Sequence, residues 1–308
     1  MSASIVVSLD FELRWGLFDI LGEDASAYRR NLLGVREVVP RLLEAFTARG
    51  VRATWAVVGA VACSGWDEWY ARAPSTPRYD DVALRWNDAY RKLDPKGELH
   101  FAPDLVERVV ATPGQEIASH TFSHVYLREP GFSRDDAIAD ADAMVRLFED
   151  RWGAPPRSIV FPRNQIGHVD VLRGRGIEAW RENPAPFYWR ATSNAEQSRW
   201  IRALRLADSL LPMGRRGAPP SARRASYFVR AGLPEALWRA HRARVRADAR
   251  RLADGDVLHL WWHPHNLGGA PAALVERVCT LLDEVQDAAP RARFRSMIDV
   301  ERESALPS

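Results

Sequence analysis

Three groups of side chains in this sequence are of the types that hold metal ions or move protons. His120 and His124 stand four residues apart in Ser-His-Thr-Phe-Ser-His. On a helix that spacing puts both imidazoles on one face, one turn apart, where they can share a metal ion. Thr121 stands where the glutamate of an HExxH peptidase would be, which disfavours that chemistry. Asp10 and Glu12 follow the apolar run from Ile5 to Leu9. On a strand, carboxylates at i and i+2 point to one side, and Arg14 continues the row. A buried carboxylate must be paired, hydrogen-bonded or bound to metal, so this pair marks a site unless it only caps the next turn or pairs with Arg14. His259, His263 and His265 belong to a second apolar run, which Pro264 ends. That places His263 at the carboxyl edge of a sheet, where ligands gather in α/β folds. His259 reads equally well as a core histidine bonded to backbone. Two imidazoles, one ligating carboxylate and one free carboxylate make up a hydrolytic Zn²⁺ site with an open position.

Short β-rich runs alternate with helical patterns along the chain, which predicts a mostly parallel sheet with crossover helices. Strands are expected over Ser4–Asp10, Arg52–Val58, Glu116–Ser119, Ser158–Phe161, Ile177–Trp180, Val257–Trp262 and Ala292–Met297. Helices are expected over Val35–Phe46, with Gly50 closing it, and over Ser133–Asp150, where Ser133 and Asp136 resemble a capping box. Others are expected near His168–Gly174 and Ala270–Val285. Residues 64–103, rich in Trp, Tyr, Asp and Pro, form a long insertion after the second strand. All three chemical groups fall at the carboxyl ends of predicted strands.

The chain has 308 residues, 46% apolar and 27% charged, enough for a sizeable core in one domain. With 43 basic and 40 acidic side chains the net charge is +3, which argues against a dedicated nucleic-acid binder. The two cysteines, Cys63 and Cys279, cannot make a disulfide framework. No apolar run is long enough to span a bilayer, and the first residues lack a signal-peptide pattern. A cytoplasmic location is expected. Arg202 to Arg251 hold thirteen arginines against Asp208, Glu235 and Asp248. Such a segment is either a solvated helix or a surface for phosphate or for a membrane.

Ser8–Glu12, His120–His124, Phe161-Pro162-Arg163-Asn164-Gln165 and Leu260–His263 resemble, in order and spacing, the motifs of the polysaccharide deacetylases (the NodB-homology group, carbohydrate esterase family four). The resemblance spans roughly residues 4 to 297 and implies a distorted (β/α)7 barrel that removes acyl groups from sugars with Zn²⁺ or another divalent metal. It implies Asp10 as catalytic base and His120 and His124 as metal ligands. The carboxylate ligand usually follows the base directly; Phe11 stands there, so the ligand moves to Glu12, though the two acids may exchange roles. Arg163 becomes the residue orienting the base, His263 the general acid, and Trp180 the nearest match to an acidic-tryptophan motif. Arg14, Trp180 and His265 are candidate substrate-binding residues.

These readings give a metal-dependent N-deacylase, acetyl being the first choice of acyl group. Its expected substrate is an amino sugar in an intracellular glycan precursor, nucleotide-linked or carried on a lipid pyrophosphate. In that case Arg242, Arg244 and Arg246 would meet the phosphates. Trp66, Trp69, Trp86, Trp180 and Trp189 could stack on sugar faces, although such sets are mostly core. The rival readings are a deformylase or other C–N hydrolase, a metal-free glycoside hydrolase using Asp10 and Glu12, and a non-catalytic sugar-binding barrel.

Overall fold

The apolar run near the N-terminus forms strand β1, Ser4–Phe11, buried along its whole length, as a strand inside a parallel sheet must be. The computed structural model describes residues 2–21, 26–86, 89–184, 186–189, 198–211 and 224–305. Ile5, Val7, Leu9 and Phe11 of β1 join the large core under the helices. Val6 belongs instead to a small cluster with Ala56, Ala118, Val160 and Ala179. The strand period of two thus divides β1 into an outer face packed on helices and an inner face.

Six further strands join β1: β2 (Ala53–Val57), β3 (Glu116–Ser119), β4 (Ser158–Ile159), β5 (Ala179–Trp180), β6 (Tyr227–Phe228) and β7 (Val257–Trp262). Their spatial order is β5-β4-β3-β2-β1-β7-β6, and every pairing is parallel. The short strand β8, Arg293–Arg295, runs beside Ser4–Val6, on the edge of β1 that β2 occupies further along. The two end strands meet through one parallel bridge, Glu182 to Arg224, where the Ala225 N–H donates to the Glu182 carbonyl at 2.9 Å. The expected distorted (β/α)7 barrel therefore forms, as a single domain. Met297 and Val300, from the helix Met297–Ala305, pack into the Val6 cluster and seal the interior on the amino-terminal side of Ser8. Polar side chains inside the barrel are left at the carboxyl ends of the strands.

The two long helices expected early in the chain form with wider bounds, Arg29–Arg49 and Arg134–Trp152. Gly50 and Gly153 close them in left-handed conformation, and Ser133 and Asp136 make the reciprocal capping box. The insertion after β2 carries short helices such as Trp66–Arg72. It buries Trp66, Trp69 and Trp86. Trp15 packs against Trp66, Trp69, Tyr90, His100 and Phe101 in one aromatic cluster. These tryptophans are core and lie away from any sugar.

The arginine-rich segment is largely self-satisfied where it is described; residues 212–223 lie outside the described residues. Along helix Glu235–Ala249, Arg242 pairs with Glu284, and Arg244 is buried against Asp248 at 2.7 Å. The expectation that Arg242 and Arg244 meet substrate phosphates is thereby overturned, because each spends its charge on a neighbouring helix side chain.

Helix Arg29–Arg49 crosses the turn after β7 at two glycines. A Cβ on Gly34 would lie 2.1 Å from the Gly268 carbonyl oxygen, and one on Gly268 would lie 2.0 Å from the Asn31 carbonyl oxygen. Only glycine allows this approach, and Asn31 Nδ2 then donates to the His265 carbonyl at 3.2 Å. The helix thus braces the turn that carries His263 and His265. Gly34→Ala should force the two apart and cost about 1–3 kcal/mol, read as a lower urea midpoint; an unchanged midpoint would show that the crossing has room.

Candidate active site

Beyond β1, Glu12 turns back toward the segment after β3. Its Oε2 lies 3.1 Å from His120 Nε2 and 3.0 Å from His124 Nε2. All three side chains are buried, and their ligating atoms lie within 4.8 Å of one another. No helix begins at His120; residues 120–124 form a loop, which corrects the expected geometry. Thr121 and His124 adopt positive φ, 62° and 54°, a conformation unusual for any residue with a side chain and most of all for a β-branched one. The strain is held by hydrogen bonds. The Asp140 carboxylate accepts from the Phe122 and Ser123 N–H groups at 2.8 and 3.0 Å, and Thr121 Oγ1 accepts from the Val125 N–H at 3.1 Å. The loop, not a helical turn, brings the two imidazoles together.

The donor set fits a divalent ion. His120 Nδ1 lies 2.7 Å from the Val160 carbonyl oxygen and donates to it. That leaves Nε2 facing the Glu12 carboxylate, and a divalent ion between the two would be held by a nitrogen lone pair and an oxygen. Burial lowers the His124 pKa more than its bond to Glu12 raises it, which keeps that ring in its ligating form. Burial raises the Glu12 pKa, but His263 and the hydrogen bonds from His120 and His124 outweigh it, and the carboxyl sits well below its ordinary range. Zinc–ligand bonds of about 2.0–2.1 Å put two tetrahedral ligands roughly 3.4 Å apart, close to the spacing seen.

Asp10 is held differently. The fully buried Arg181, just past β5, grips it with Nη1 to Oδ1 at 2.7 Å and Nη2 to Oδ2 at 2.8 Å. Burial raises the Asp10 pKa; Arg181 first, then His120 and His263, bring it below the ordinary value. Arg181 also donates to Ser8 Oγ at 3.1 Å and to Asn164 Oδ1 at 2.9 Å, and its guanidinium lies 4.1 Å from the Trp261 ring centre. Ser8 Oγ in turn lies 2.8 Å from His259 Nε2. Burial, then Arg181, brings the His259 pKa down to about 3, so the ring is neutral and accepts the Ser8 hydroxyl proton.

His263 follows β7 with Nε2 3.3 Å from Glu12 Oε1 and 3.7 Å from Asp10 Oδ2. The Asn266 amide, held by the Tyr28 hydroxyl at 2.8 Å, lies against His263 Nδ1 at 3.3 Å. His265 stacks on His263 at 5.0 Å and is buried; burial, then His263, lowers its pKa to about 3. Glu12, His263 and His265 form a second possible ligand group sharing the same carboxylate. Asp10, Glu12, His120, His124, His263 and His265 line a cavity of about 530 Å³, a size suited to a small ligand. Its far wall is the loop after β6, including Arg230.

A family model described as polysaccharide deacetylase matches residues 30–169. Over that stretch the chain is similar to the polysaccharide deacetylases. The matched stretch contains His120, His124 and Arg163, while Asp10, Glu12 and His263 lie outside it. No curated protein matches the sequence. Among solved structures, a putative polysaccharide deacetylase from Mycobacterium smegmatis is similar at 15% identity, with a TM-score of 0.56, over 98% of this chain and 90% of that one. The Puue allantoinase is similar at 12% identity, with a TM-score of 0.58, over 99% of this chain and 92% of that one. At such identities the likeness is one of fold.

Against this deacetylase frame, three sequence expectations need correction. Arg163 does not hold Asp10; it pairs with Asp19 and lies 4.5 Å from the Tyr126 ring centre. Arg181 takes the place assigned to it. Trp180 points outward into the helix-packed core, under Arg173, and does not line the cavity, because neighbours on a strand face opposite sides. Arg14 is likewise buried away from the cavity, 1% exposed, with its N–H bonded to the Leu99 carbonyl. The aromatic groups in the cavity wall are Trp261 and Phe228, which sequence reasoning missed.

Removing one partner of a buried ion pair costs about 3–5 kcal/mol. Arg181→Ala should therefore lose that much stability in chemical denaturation, whereas Arg163→Ala should leave the Asp10 ionisation, followed by carboxyl NMR, where it was. Equal effects would sink the assignment of Arg181. An imidazole with a pKa of about 3 when folded and about 6.5 when unfolded binds a proton on unfolding between those values. Stability present above that window is lost as the pH falls through it. In His259→Leu the slope of stability between about pH 6 and pH 4 should be shallower by up to ~1.4 kcal/mol per pH unit; an unchanged slope would mean that His259 is charged in the fold.

Proposed function

We propose that this cavity is the active site of a metal-dependent hydrolase that removes an N-acyl group, acetyl in the first place, from an amino sugar. The observation that carries the reading is one Glu12 oxygen meeting both His120 Nε2 and His124 Nε2 beside a second carboxylate, Asp10, that is tied to Arg181 instead. When bound by Glu12, His120 and His124, a divalent ion would polarise the acyl carbonyl and lower the pKa of water toward neutrality.

The chain's own groups account for the proton transfers. Asp10, kept ionised by Arg181, takes a proton from the attacking water. The bidentate grip fixes which way its free lone pairs point, and a guanidinium cannot itself give up a proton. His263, in its protonated form, delivers the Nε2 proton to the departing nitrogen, which would otherwise leave as an amide anion. It stands within 4 Å of both carboxylates. Trp261 and Phe228 supply an apolar wall against which a sugar ring can stack.

A second reading keeps the site and changes the bond: another C–N hydrolysis, of an N-formyl sugar or a small ureide. The likeness to an allantoinase favours it, and substrate trials separate the two.

Metal analysis of the purified protein should find about one divalent ion per chain, bound by three side chains, and none in His120→Ala. Asp10→Asn and His263→Ala should retain metal and fold while lowering kcat for acetate release from N-acetylated amino sugars by about 10²–10⁴-fold. Full activity after exhaustive chelation would sink the metal-dependent reading. Metal retention with no acyl release from any amino sugar would sink the reaction.

A further inference from the structure

The charges around the cavity do not balance. Asp10 is met by Arg181, Glu12 by the two imidazoles, and Arg163 by Asp19. Arg230 is left over. Its Nε is buried without a hydrogen-bond partner, and among the described residues no carboxylate or carbonyl oxygen meets the guanidinium. The guanidinium carbon lies 4.7 Å from the Phe228 ring centre. Burial lowers its pKa, with no acidic group pulling the other way.

The position of this cation is fixed. The Leu233 N–H donates to the Arg230 carbonyl at 3.1 Å. Arg277 Nη1 donates to the Ala231 and Leu233 carbonyls, each at 2.9 Å, while Nη2 pairs with Glu235 at 2.9 Å. The loop that carries Arg230 is thereby pinned to the helix Pro271–Ala288. Phe228 touches both Trp261 and His263, with ring centres 4.5 and 5.6 Å away. A ligand stacked on this wall would reach from His263 toward Arg230.

A half-buried guanidinium whose Nε is buried without a partner is costly unless an anion meets it, and its planar fork matches a carboxylate or phosphate with two parallel hydrogen bonds. We infer that Arg230 is the specificity-determining residue of this cavity and that the substrate carries an anionic group, a carboxylate or a phosphate, which the Arg230 fork binds. The inference rests on reading the cavity as an amino-sugar site. It moves the expected anion contact from Arg242 and Arg244, which are paired, to Arg230, the arginine of the segment that faces the cavity among the described residues.

The test uses equilibrium binding, which does not depend on turnover. Chelator-treated protein is titrated calorimetrically with N-acetylglucosamine, N-acetylglucosamine 6-phosphate and N-acetylmuramic acid. At least one anionic sugar should bind about tenfold or more tightly than the neutral one, the scale of a charge-assisted bond, and the tighter of the two tells phosphate from carboxylate. Arg230→Gln should abolish that preference with an unchanged unfolding temperature, and Arg230→Lys should restore part of it. Arg246→Gln, in the same segment but outside the cavity, should keep it. Equal binding of all three sugars, no binding of either anionic sugar, or a preference that survives Arg230→Gln would overturn the inference. A preference for anions without acyl release from any sugar would keep the anion site and discard the deacylase reading.

Discussion

Two buried carboxylates stand at the end of one strand on the wall of a single cavity, and the site is organised by how each charge is met. Asp10 faces a guanidinium and Glu12 faces two imidazoles. The difference in partner divides the labour. A guanidinium stays protonated and offers only donors, so it can hold a carboxylate ionised but cannot share a metal with it. Neutral imidazoles offer lone pairs, and a carboxylate among them completes a ligand set. The neutral His259 behind Ser8 adds no further charge to the Asp10 side, so the pair with Arg181 stays one to one.

The barrel serves this arrangement by grading its interior. Small apolar side chains occupy the amino-terminal half, where Met297 and Val300 close it. One step along the strands come Ser8 and His259, and beyond them the charged groups. Regular strand geometry delivers Asp10 and Arg181, which only need to face inward. Irregular backbone delivers His120 and His124, whose loop is held in an unfavourable conformation by Asp140. Asp10 sits on the ladder, and His120 and His124 sit on a strained turn fastened to a neighbouring helix.

Much of this was readable in the residues. The apolar run from Ile5 to Leu9 announced a buried strand with carboxylates at its end, and Pro264 marked where β7 ends. The helices showed through capping residues and apolar spacing. Matching Trp180 to an acidic-tryptophan motif passes over its neighbour Arg181, which is the residue that meets Asp10. Alternation along β5 sends Trp180 outward and Arg181 inward, so the same rule that worked for β1 held the answer. The four-residue histidine spacing invited a helix, and nothing local betrays a turn whose positive φ values are maintained by a carboxylate from a different helix. The arginine-rich segment misled for a related reason: its charge is visible in one dimension, but Glu284, a partner that uses it up, lies in a separate helix.

The ring closes through a single residue pair, Glu182 with Arg224. Chain between those two positions departs and returns at one seam, and closing a longer excursion there costs entropy only slowly with length. The barrel can therefore gain or lose material at that junction while the register of every other strand stays as it is. Arg181 stands on one lip of the seam and Arg230 just beyond the other, so the two arginines keep their places on either side of whatever length of chain runs between them, as do the groups that β1 and β7 carry.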